Sequence, residues 1–276
     1  MIVVLASYPK SGNTWLRSLI NNYVYDEKVP LNQMAKTVPS DASAVTWESV
    51  GLKDIAVDKE ALKLRGQFYK KAAEYAGNRR FYLKSHSANL TIDGNSLFDH
   101  KYLDKVIHIV RNPFDVLPSL AHHFGLNIED AYELMTNDQN MMYEEGRKMY
   151  PEFQASWGLH TNSWLHYGNE HPENYLFVRY EDLKLNPFTT LKKIMEFVEE
   201  DISEEKLVNA IYNSNFKVRK AEEEKDGFIE RAAEDRQFFR KGQIGGFVDE
   251  VPRDIVEKLY EKYSEICKAL SYNIKL

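Results

Sequence analysis

The chain has 276 residues, of which 43% are hydrophobic and 28% charged, a composition typical of a water-soluble globule and not of a disordered or fibrous protein. Its formal net charge of -6 argues against sequence-independent binding of nucleic acid, which depends on an excess of Lys and Arg. Any anionic ligand must therefore be held by a local cluster of cations.

The first apolar run covers residues 2–6 and is soon followed by Lys10, so it is too short for a signal peptide or a membrane span. The single cysteine, Cys267, cannot form an internal disulfide, and we expect it to be buried in an amphipathic C-terminal helix. No repeat or linker marks a boundary. We therefore predict a single domain over residues 1–276, cytoplasmic and without a membrane partner.

Apolar and helical patterns alternate along the chain. Short apolar runs predict strands, and residues at helical spacing, with caps such as Asn112-Pro113, Asn186-Pro187 and Ser203, predict helices. The predicted strands are 2–7, 81–84, 105–110 and 175–178; the predicted helices are 14–25, 58–76, one from 113, 187–199, one from 203 and 252–271. This alternation predicts an α/β fold with a mostly parallel central sheet flanked by helices, and a ligand site at the carboxyl ends of the strands.

The turn after the first strand reads SYPKSGNTW over residues 7–15 and leads into a helix. Backbone N–H groups and the helix dipole favour an anion there, and Lys10, Ser11 and Thr14 add side-chain donors. A plain surface turn is the alternative. The pattern GxxxxGK[ST] is absent because Lys10 precedes Ser-Gly, which disfavours an ATP kinase.

Three stretches together resemble the cytosolic sulfotransferase family. Residues 8–15 resemble its 5'-phosphosulfate loop, YPKSGTTW, with Asn13 in place of one Thr. Residues 107–119, IHIVRNPFDVLPS, resemble its 3'-phosphate motif, and residues 240–245, RKGQIG, resemble its RKGxxG loop. The resemblance implies a P-loop-like three-layer fold, 3'-phosphoadenosine-5'-phosphosulfate (PAPS) as the donor and the desulfated nucleotide (PAP) as the product.

The resemblance also implies which residues bind the nucleotide. They are Lys10, Ser11, Gly12, Asn13, Thr14, Trp15, Arg111, Ser119, Tyr180, Ser214, Phe216, Arg240, Lys241 and Gly242. Arg111 suits a phosphate because its planar fork donates two parallel hydrogen bonds. Trp15 and Phe216 would sandwich the adenine, with core packing as the alternative. Pro118 is expected to bend the helix that carries Ser119.

The catalytic residues implied by the resemblance are His86, Lys10 and Lys84. The segment Leu83-Lys84-Ser85-His86 resembles the family's KTH segment, in which the His takes the acceptor's proton. Imidazole suits that role near neutral pH because its ordinary pKa is about 6.5. The remaining histidines, including His122 and His123, are interpreted as surface or packing residues, and no metal is required.

We therefore predict a PAPS-dependent sulfotransferase, and the alternative is a non-catalytic nucleotide-binding or regulatory protein of the same fold. The acceptor stays open between an alcohol, a phenol and an amine, natural products included, and both a monomer and a homodimer are compatible with the sequence. Acceptor specificity is assigned to irregular stretches at 26–57, 87–100, 127–156 and 217–239. The third carries a set of methionines and tyrosines that line a pocket or pack, and the fourth is expected to be a solvated lid.

Overall fold

The structure is a computed structural model that describes residues 1–143, 149–232 and 235–272. Its strands are β1 (Ile2–Ala6), β2 (Phe81–Ser85), β3 (Thr91–Ile92), β4 (Asn95–Ser96), β5 (Lys105–Val110), β6 (Met141–Met142), β7 (Glu152–Phe153) and β8 (Tyr175–Arg179). Its α-helices are α1 (Asn13–Val24), α2 (Met34–Thr37), α3 (Ala44–Ser49), α4 (Arg65–Ala76), α5 (Pro113–Phe124), α6 (Ile128–Thr136), α7 (Trp157–Glu170), α8 (Tyr180–Leu185), α9 (Pro187–Phe197), α10 (Glu204–Asn213), α11 (Phe216–Asp226) and α12 (Arg253–Ala269).

Four parallel strands form the central sheet in the order β2-β1-β5-β8. The chain runs outward from β1 to β2, then crosses to the other side of β1 to enter β5, so the direction of winding reverses between β1 and β5. In open parallel sheets the crevice beyond the carboxyl ends at such a reversal is where ligands bind. The predicted fold class is confirmed.

Helices cover both faces of the sheet, as the side chains of β1 show. Ile2, Val4 and Ala6 point into one core, which contains residues of α4 and α7, whereas Val3 and Leu5 point into another, which contains residues of α1, α9 and α10. Successive side chains of a strand face opposite sides, so a strand that is apolar throughout is buried on both. The result is the predicted arrangement of three layers.

Several elements differ from the prediction in detail. Residues 58–76, predicted as one helix, form a 3-10 helix at Lys59–Leu64 followed by α4, with Asp58 accepting a hydrogen bond from the Glu60 N–H at 2.9 Å. The stretch 127–156, predicted to be irregular, contains α6 and the β6–β7 ribbon, and its residues 144–148 lie outside the described part of the chain. Cys267 is buried in α12 as expected.

The stretch 217–239 is a packed segment and not the solvated lid that its charges predicted. It begins with α11, whose Arg219 and Glu223 are fully buried, and continues to Phe228 and Phe239 in a separate apolar cluster. The two buried charged groups have partners within the fold: Arg219 donates to Ser18 Oγ at 2.8 Å, and Glu223 accepts from the Phe239 N–H at 2.9 Å. Its residues 233–234 lie outside the described part of the chain.

None of the helices in the described ranges 1–143, 149–232 and 235–272 is long and apolar enough to cross a membrane.

A buried ion pair behind the carboxyl end of β2 gives a stability prediction. Arg65 Nη2 donates to Asp41 Oδ2 at 2.5 Å, both side chains are fully buried, and Tyr69 donates to the same oxygen at 2.6 Å. Asp41→Asn should lower the free energy of unfolding by about 3 kcal/mol, because the Arg65 charge stays buried without its partner. Urea unfolding measures this loss. The double variant Asp41→Asn, Arg65→Met should lose less than the sum of the two single changes; additive losses would contradict the pairing.

Candidate active site

A cavity of about 700 Å³ opens at the carboxyl ends of β1, β2, β5 and β8, within the size range of small-molecule sites. It is lined by every residue predicted to bind nucleotide or to catalyse, except Ser11: Lys10, Gly12, Asn13, Thr14, Trp15, Lys84, His86, Arg111, Ser119, Tyr180, Ser214, Phe216, Arg240, Lys241 and Gly242. Ser11 is fully buried beneath the wall, and its hydroxyl makes no hydrogen bond within the described ranges.

The turn between β1 and α1 borders the cavity and contains two residues with a left-handed backbone conformation. Lys10 and Gly12 both have a positive φ, 65° and 102°, and Gly12 precedes the first residue of α1. The Asn13 amide points the other way, donating to the Leu5 carbonyl at 2.9 Å and to Ser7 Oγ at 3.1 Å. Asn13 therefore braces the turn with its side chain and has only its backbone N–H for an anion.

Gly12 is required by crowding as well as by its backbone angle. A Cβ at this position would lie 2.6 Å from Tyr180 Cδ2. We expect Gly12→Ala to displace either the turn or Tyr180 and to weaken PAP binding about tenfold, because both groups border the same cavity. Gly51→Ala is the matched control: φ is 93° there, but nothing lies within 4 Å of the added Cβ. Calorimetry should find weaker PAP binding in the first variant only; equal affinities would contradict this assignment.

The aromatic side chains of Trp15 and Phe216 flank a common space. The Lys184 ammonium lies 5.8 Å from the ring centroid of each, so one side chain reaches between them. Tyr180 meets Trp15 edge-on at 5.7 Å. A Cβ on Gly242 would approach Phe216 Cδ2 to 2.7 Å, so glycine is needed there for Phe216 to keep its position. Two aromatic rings at one end of the cavity are the kind of surface on which a planar base stacks.

Arg111, which follows β5, joins the first turn to the C-terminal loop. Its guanidinium donates to the Lys10 carbonyl at 3.3 Å and to the Gln243 carbonyl at 2.9 Å, and it lies 4.6 Å above the Tyr180 ring. Its Nε is buried and unpartnered within the described ranges. Asp115 fixes the same loop, since its carboxylate accepts from the Gly245 N–H at 2.7 Å.

Arg240 and Lys241 both pair with Glu250, and the ammonium of Lys241 lies 3.1 Å from its carboxylate. Ser119 lines the cavity although Pro118 lies inside α5. Ser214 also reaches the wall, but its Oγ accepts hydrogen bonds from Ser18 Oγ and Asn22 Nδ2, both at 2.9 Å. The Ser214 hydroxyl therefore also ties α10 to α1.

Two cations lie beside Glu230, a carboxylate of the cavity wall. Glu230 lies 2.7 Å from Arg17 Nη1 and 3.9 Å from Lys84 Nζ. Although burial opposes it, the charges of Arg17 and Lys84 lower the pKa of Glu230 to about 2. Burial, Arg111 and Lys84 together lower the pKa of Lys10 to about 7, and the Lys10 ammonium lies 3.8 Å above the Phe238 ring.

His86 follows β2 and has a defined tautomer. Its Nδ1 lies 2.8 Å from the Ser7 carbonyl oxygen and 3.2 Å from Ser7 Oγ. Because a carbonyl only accepts, Nδ1 carries the hydrogen and Nε2 is left with its lone pair. Burial lowers the pKa of His86 well below 6.5, and the charge of Lys84 lowers it further, while the Ser7 carbonyl opposes both. The imidazole is therefore neutral at pH 7.

His123, interpreted from the sequence as a surface or packing residue, lines the cavity instead. It lies in the last turn of α5, which runs along the cavity wall, and burial together with the charges of Lys10 and Lys84 lowers its pKa to about 3. Sequence reasoning also missed Arg17, Asp115 and Glu230, whose contacts here join distant parts of the chain. Only Asp115 carried a signal, as an acidic residue in the first turn of a helix.

Residues 1–143, 149–232 and 235–272 contain no group of three or more His, Cys, Asp or Glu side chains placed to hold a metal ion.

The fold and the cavity define an α/β protein that gathers cations and aromatic rings around the carboxyl ends of a parallel sheet, the construction of a P-loop-like nucleotide-binding transferase. The family model "Sulfotransferase domain" matches residues 2–271. The chain belongs to this family and is a sulfotransferase, as predicted.

Similar proteins agree with this assignment. The chain is 26% identical to cytosolic sulfotransferase 12 of Arabidopsis thaliana, covering 93% of this chain and 74% of the relative. It is 27% identical to sulfotransferase 1B1 of Mus musculus, covering 79% of this chain and 65% of the relative. Among solved structures, mouse sulfotransferase SULT7A1 complexed with PAP is similar in fold, with a TM-score of 0.62 at 22% identity over 96% of this chain and 83% of that one.

Proposed function

We propose that this chain transfers a sulfuryl group from PAPS to a hydroxyl or an amine of a small-molecule acceptor, with His86 as the general base. The observation that carries the proposal is the tautomer of His86: Nδ1 is 2.8 Å from the Ser7 carbonyl, so Nε2 is an acceptor in the cavity that also holds Lys10 and Lys84. The relative from Arabidopsis thaliana is named a cytosolic sulfotransferase, and the similar structure of mouse SULT7A1 is a complex with PAP. Both support the same nucleotide for this chain.

The residues of the cavity fit PAP and PAPS. Arg111 lines the cavity, and its Nε is a buried polar atom without a partner within the described ranges, which suits a site that binds phosphate oxygens. The helix-terminal turn at Lys10 and Gly12 would hold the 5' group, while Arg111 and the Arg240-Lys241 pair would hold the 3'-phosphate. The slot between Trp15 and Phe216 would hold adenine.

When bound, PAPS supplies a sulfuryl group attached to a phosphate leaving group. The acceptor gives its proton to Nε2 of His86 while its oxygen or nitrogen forms a bond to sulfur, and the bond from sulfur to the bridging phosphate oxygen breaks. The products are the sulfated acceptor and PAP. Lys10 stabilises charge on the departing oxygen, and Lys84 adds a second cation near the transferred group. His86 is neutral before the step, as a base must be.

The rival proposal is a non-catalytic nucleotide-binding protein with the same cavity. It predicts PAP binding without consumption of PAPS. Incubation with radiolabelled PAPS and a panel of alcohols, phenols and amines separates the two proposals. Only a catalyst transfers the labelled sulfuryl group to an acceptor, and that transfer should be lost in His86→Ala. Label that never leaves the donor with any acceptor would favour the binder.

Arg111→Ala tests the nucleotide assignment. Loss of a guanidinium that faces phosphate should weaken PAP binding about tenfold or more, because charge-assisted hydrogen bonds contribute about 1.5 to 3 kcal/mol each. Isothermal calorimetry measures the dissociation constant. Arg253→Ala is a matched control, since Arg253 is exposed on α12 and pairs with Glu257 at 2.9 Å. An unchanged constant in Arg111→Ala would contradict the site.

We also propose that residues 1–276 act as one domain in the cytoplasm, which the names of the plant relatives as cytosolic enzymes support. The residues that line the cavity run from Pro9 to Glu250, so they span most of the chain.

A further inference from the structure

A buried carboxylate stands beside the proposed base. Glu152, in β7, is 6% exposed and lines the cavity, and its Oε1 accepts a hydrogen bond from the His86 N–H at 3.1 Å. β7 pairs antiparallel with β6, with Met142 opposite Glu152. Gln154, two residues further along and on the same side of an extended chain, lines the cavity as well. The ribbon therefore presents polar groups to the acceptor end of the cavity.

The charge of Glu152 is only partly balanced by the described residues around it. Arg65 pairs with Asp41, with Nη2 and Oδ2 2.5 Å apart. Lys84 Nζ lies 3.9 Å from Glu230 Oε2, and in the proposed function it also faces the transferred group. Within the ranges 1–143, 149–232 and 235–272, Glu152 forms no ion pair with a Lys, Arg or His side chain, and its carboxylate accepts a hydrogen bond from the backbone N–H of His86. Burial raises the pKa of Glu152, although Lys84 opposes the shift. A buried carboxylate is stabilised when a cation joins it.

The walls around Glu152 suit an ammonium group. Met142, Tyr143, Met149 and Tyr150 lie in β6 or beside the β6–β7 ribbon and line the same cavity. The hydroxyls of Tyr143 and Tyr150 are turned away, donating to backbone carbonyls of Val57 at 2.9 Å and Ile55 at 3.1 Å, so the rings offer their apolar parts. Aromatic faces together with a carboxylate form a setting that binds organic ammonium ions.

We infer that the acceptor is an amino alcohol or aminophenol whose ammonium group pairs with Glu152 while its hydroxyl is sulfated. This rests on the proposed function. An amine paired with a carboxylate stays protonated and has no lone pair for attack, so the oxygen is the nucleophile. Its proton goes to His86 Nε2, the O–S bond forms and the bond from sulfur to phosphate breaks. Glu152 is then a specificity-determining residue and the product is a sulfate ester.

The test compares acceptors that differ only in the amine. Tyramine is paired with 4-ethylphenol, and 4-(aminomethyl)benzyl alcohol with 4-methylbenzyl alcohol, and kcat/KM is measured at saturating PAPS. We expect the parent to favour the amine of at least one pair by about tenfold or more, as a charge-assisted contact supports. Glu152→Gln should bring that ratio to about one, because kcat/KM should fall by more for the amine than for its neutral partner. Glu48→Gln, an exposed carboxylate outside the cavity, should leave the ratio unchanged.

Three results in the parent would overturn the inference, whether or not the variant folds. They are a preference for the neutral acceptor in both pairs, equal kcat/KM for the two members of both pairs, and no turnover of any of the four acceptors. A preference for the amine that survives in Glu152→Gln would overturn it as well. PAP binding, measured by calorimetry on the same preparations, tests the proposed function separately. If the parent fails to bind PAP, the proposed function fails; if PAP binds and the amine preference is absent, only the inference about Glu152 fails.

Discussion

His86→Ala is expected to lower kcat by a factor of about 10² to 10⁴ while the dissociation constant of PAP changes by less than a few-fold. In the proposed function His86 contacts the acceptor, whereas Lys10, Arg111 and Arg240 would bind the nucleotide. Rate and nucleotide affinity should therefore separate. Single-turnover rates with a confirmed acceptor, together with calorimetry of PAP, measure the two effects.

The pH profile of the parent gives a second measurement for the same residue. Because burial and Lys84 lower the pKa of His86, its neutral and active form persists as the pH falls below 6.5, so the acid limb of kcat/KM should lie below that value. An amine acceptor adds its own titration, so the profile is best recorded with a neutral alcohol or phenol. His166→Ala, at an exposed site beside Glu170, is the control. If His86→Ala keeps its rate and His123→Ala loses it, His123 is the base.

Lys10→Ala is expected to lower the rate of transfer by about 10² to 10³ and to weaken PAP binding, because in the proposed function Lys10 stabilises charge on the departing phosphate oxygen. Its pKa of about 7 adds a signature that a merely structural lysine would lack. A lysine with a lowered pKa loses its charge as the pH rises through that value, so PAP binding to the parent should weaken above about pH 7. In Lys10→Ala this dependence should flatten.

Calorimetry in two buffers of different ionisation enthalpy tests the same point, because PAP binding to the parent near pH 7 should take up a proton at Lys10. Lys262→Ala, an exposed lysine on α12, is the control and should bind PAP as the parent does. A parent that binds PAP equally well from pH 6 to pH 9 would contradict the role of Lys10.

The parts of the fold that sequence predicted well are those set by local chemistry. Lys105–Val110 was predicted with both its ends, because an apolar β-branched run is followed at once by the Asn112-Pro113 cap, whose Asn side chain accepts from the Phe114 N–H at 3.1 Å. The helix after the first turn began within one residue of its predicted start for the same kind of reason. Such signals need only a few neighbouring residues.

The parts that sequence did not predict depend on contacts between distant residues. α11 has few apolar positions, and its burial follows from ion pairs and hydrogen bonds that reach Ser18 and Val29. Glu230 reaches Arg17 across 213 positions, and nothing in a charged stretch indicates which carboxylate turns inward. The nucleotide-binding residues were predicted from a resemblance of motifs, whereas Glu230 and Glu250, which pair with cations of the same cavity, belong to no such motif.

Carboxylates of the cavity wall already pair with the cations that would bind an anionic ligand. Glu230 beside Lys84, and Glu250 beside Arg240 and Lys241, act as tethered counterions for the cations that would receive sulfuryl and phosphate groups. Binding of a polyanion would then trade one set of negative partners for another, so fewer dissolved ions are displaced than the number of cations suggests. We expect nucleotide affinity to fall less steeply with salt than at a site with bare cations. Inorganic sulfate, with fewer charges to offer, would compete poorly with the tethered groups.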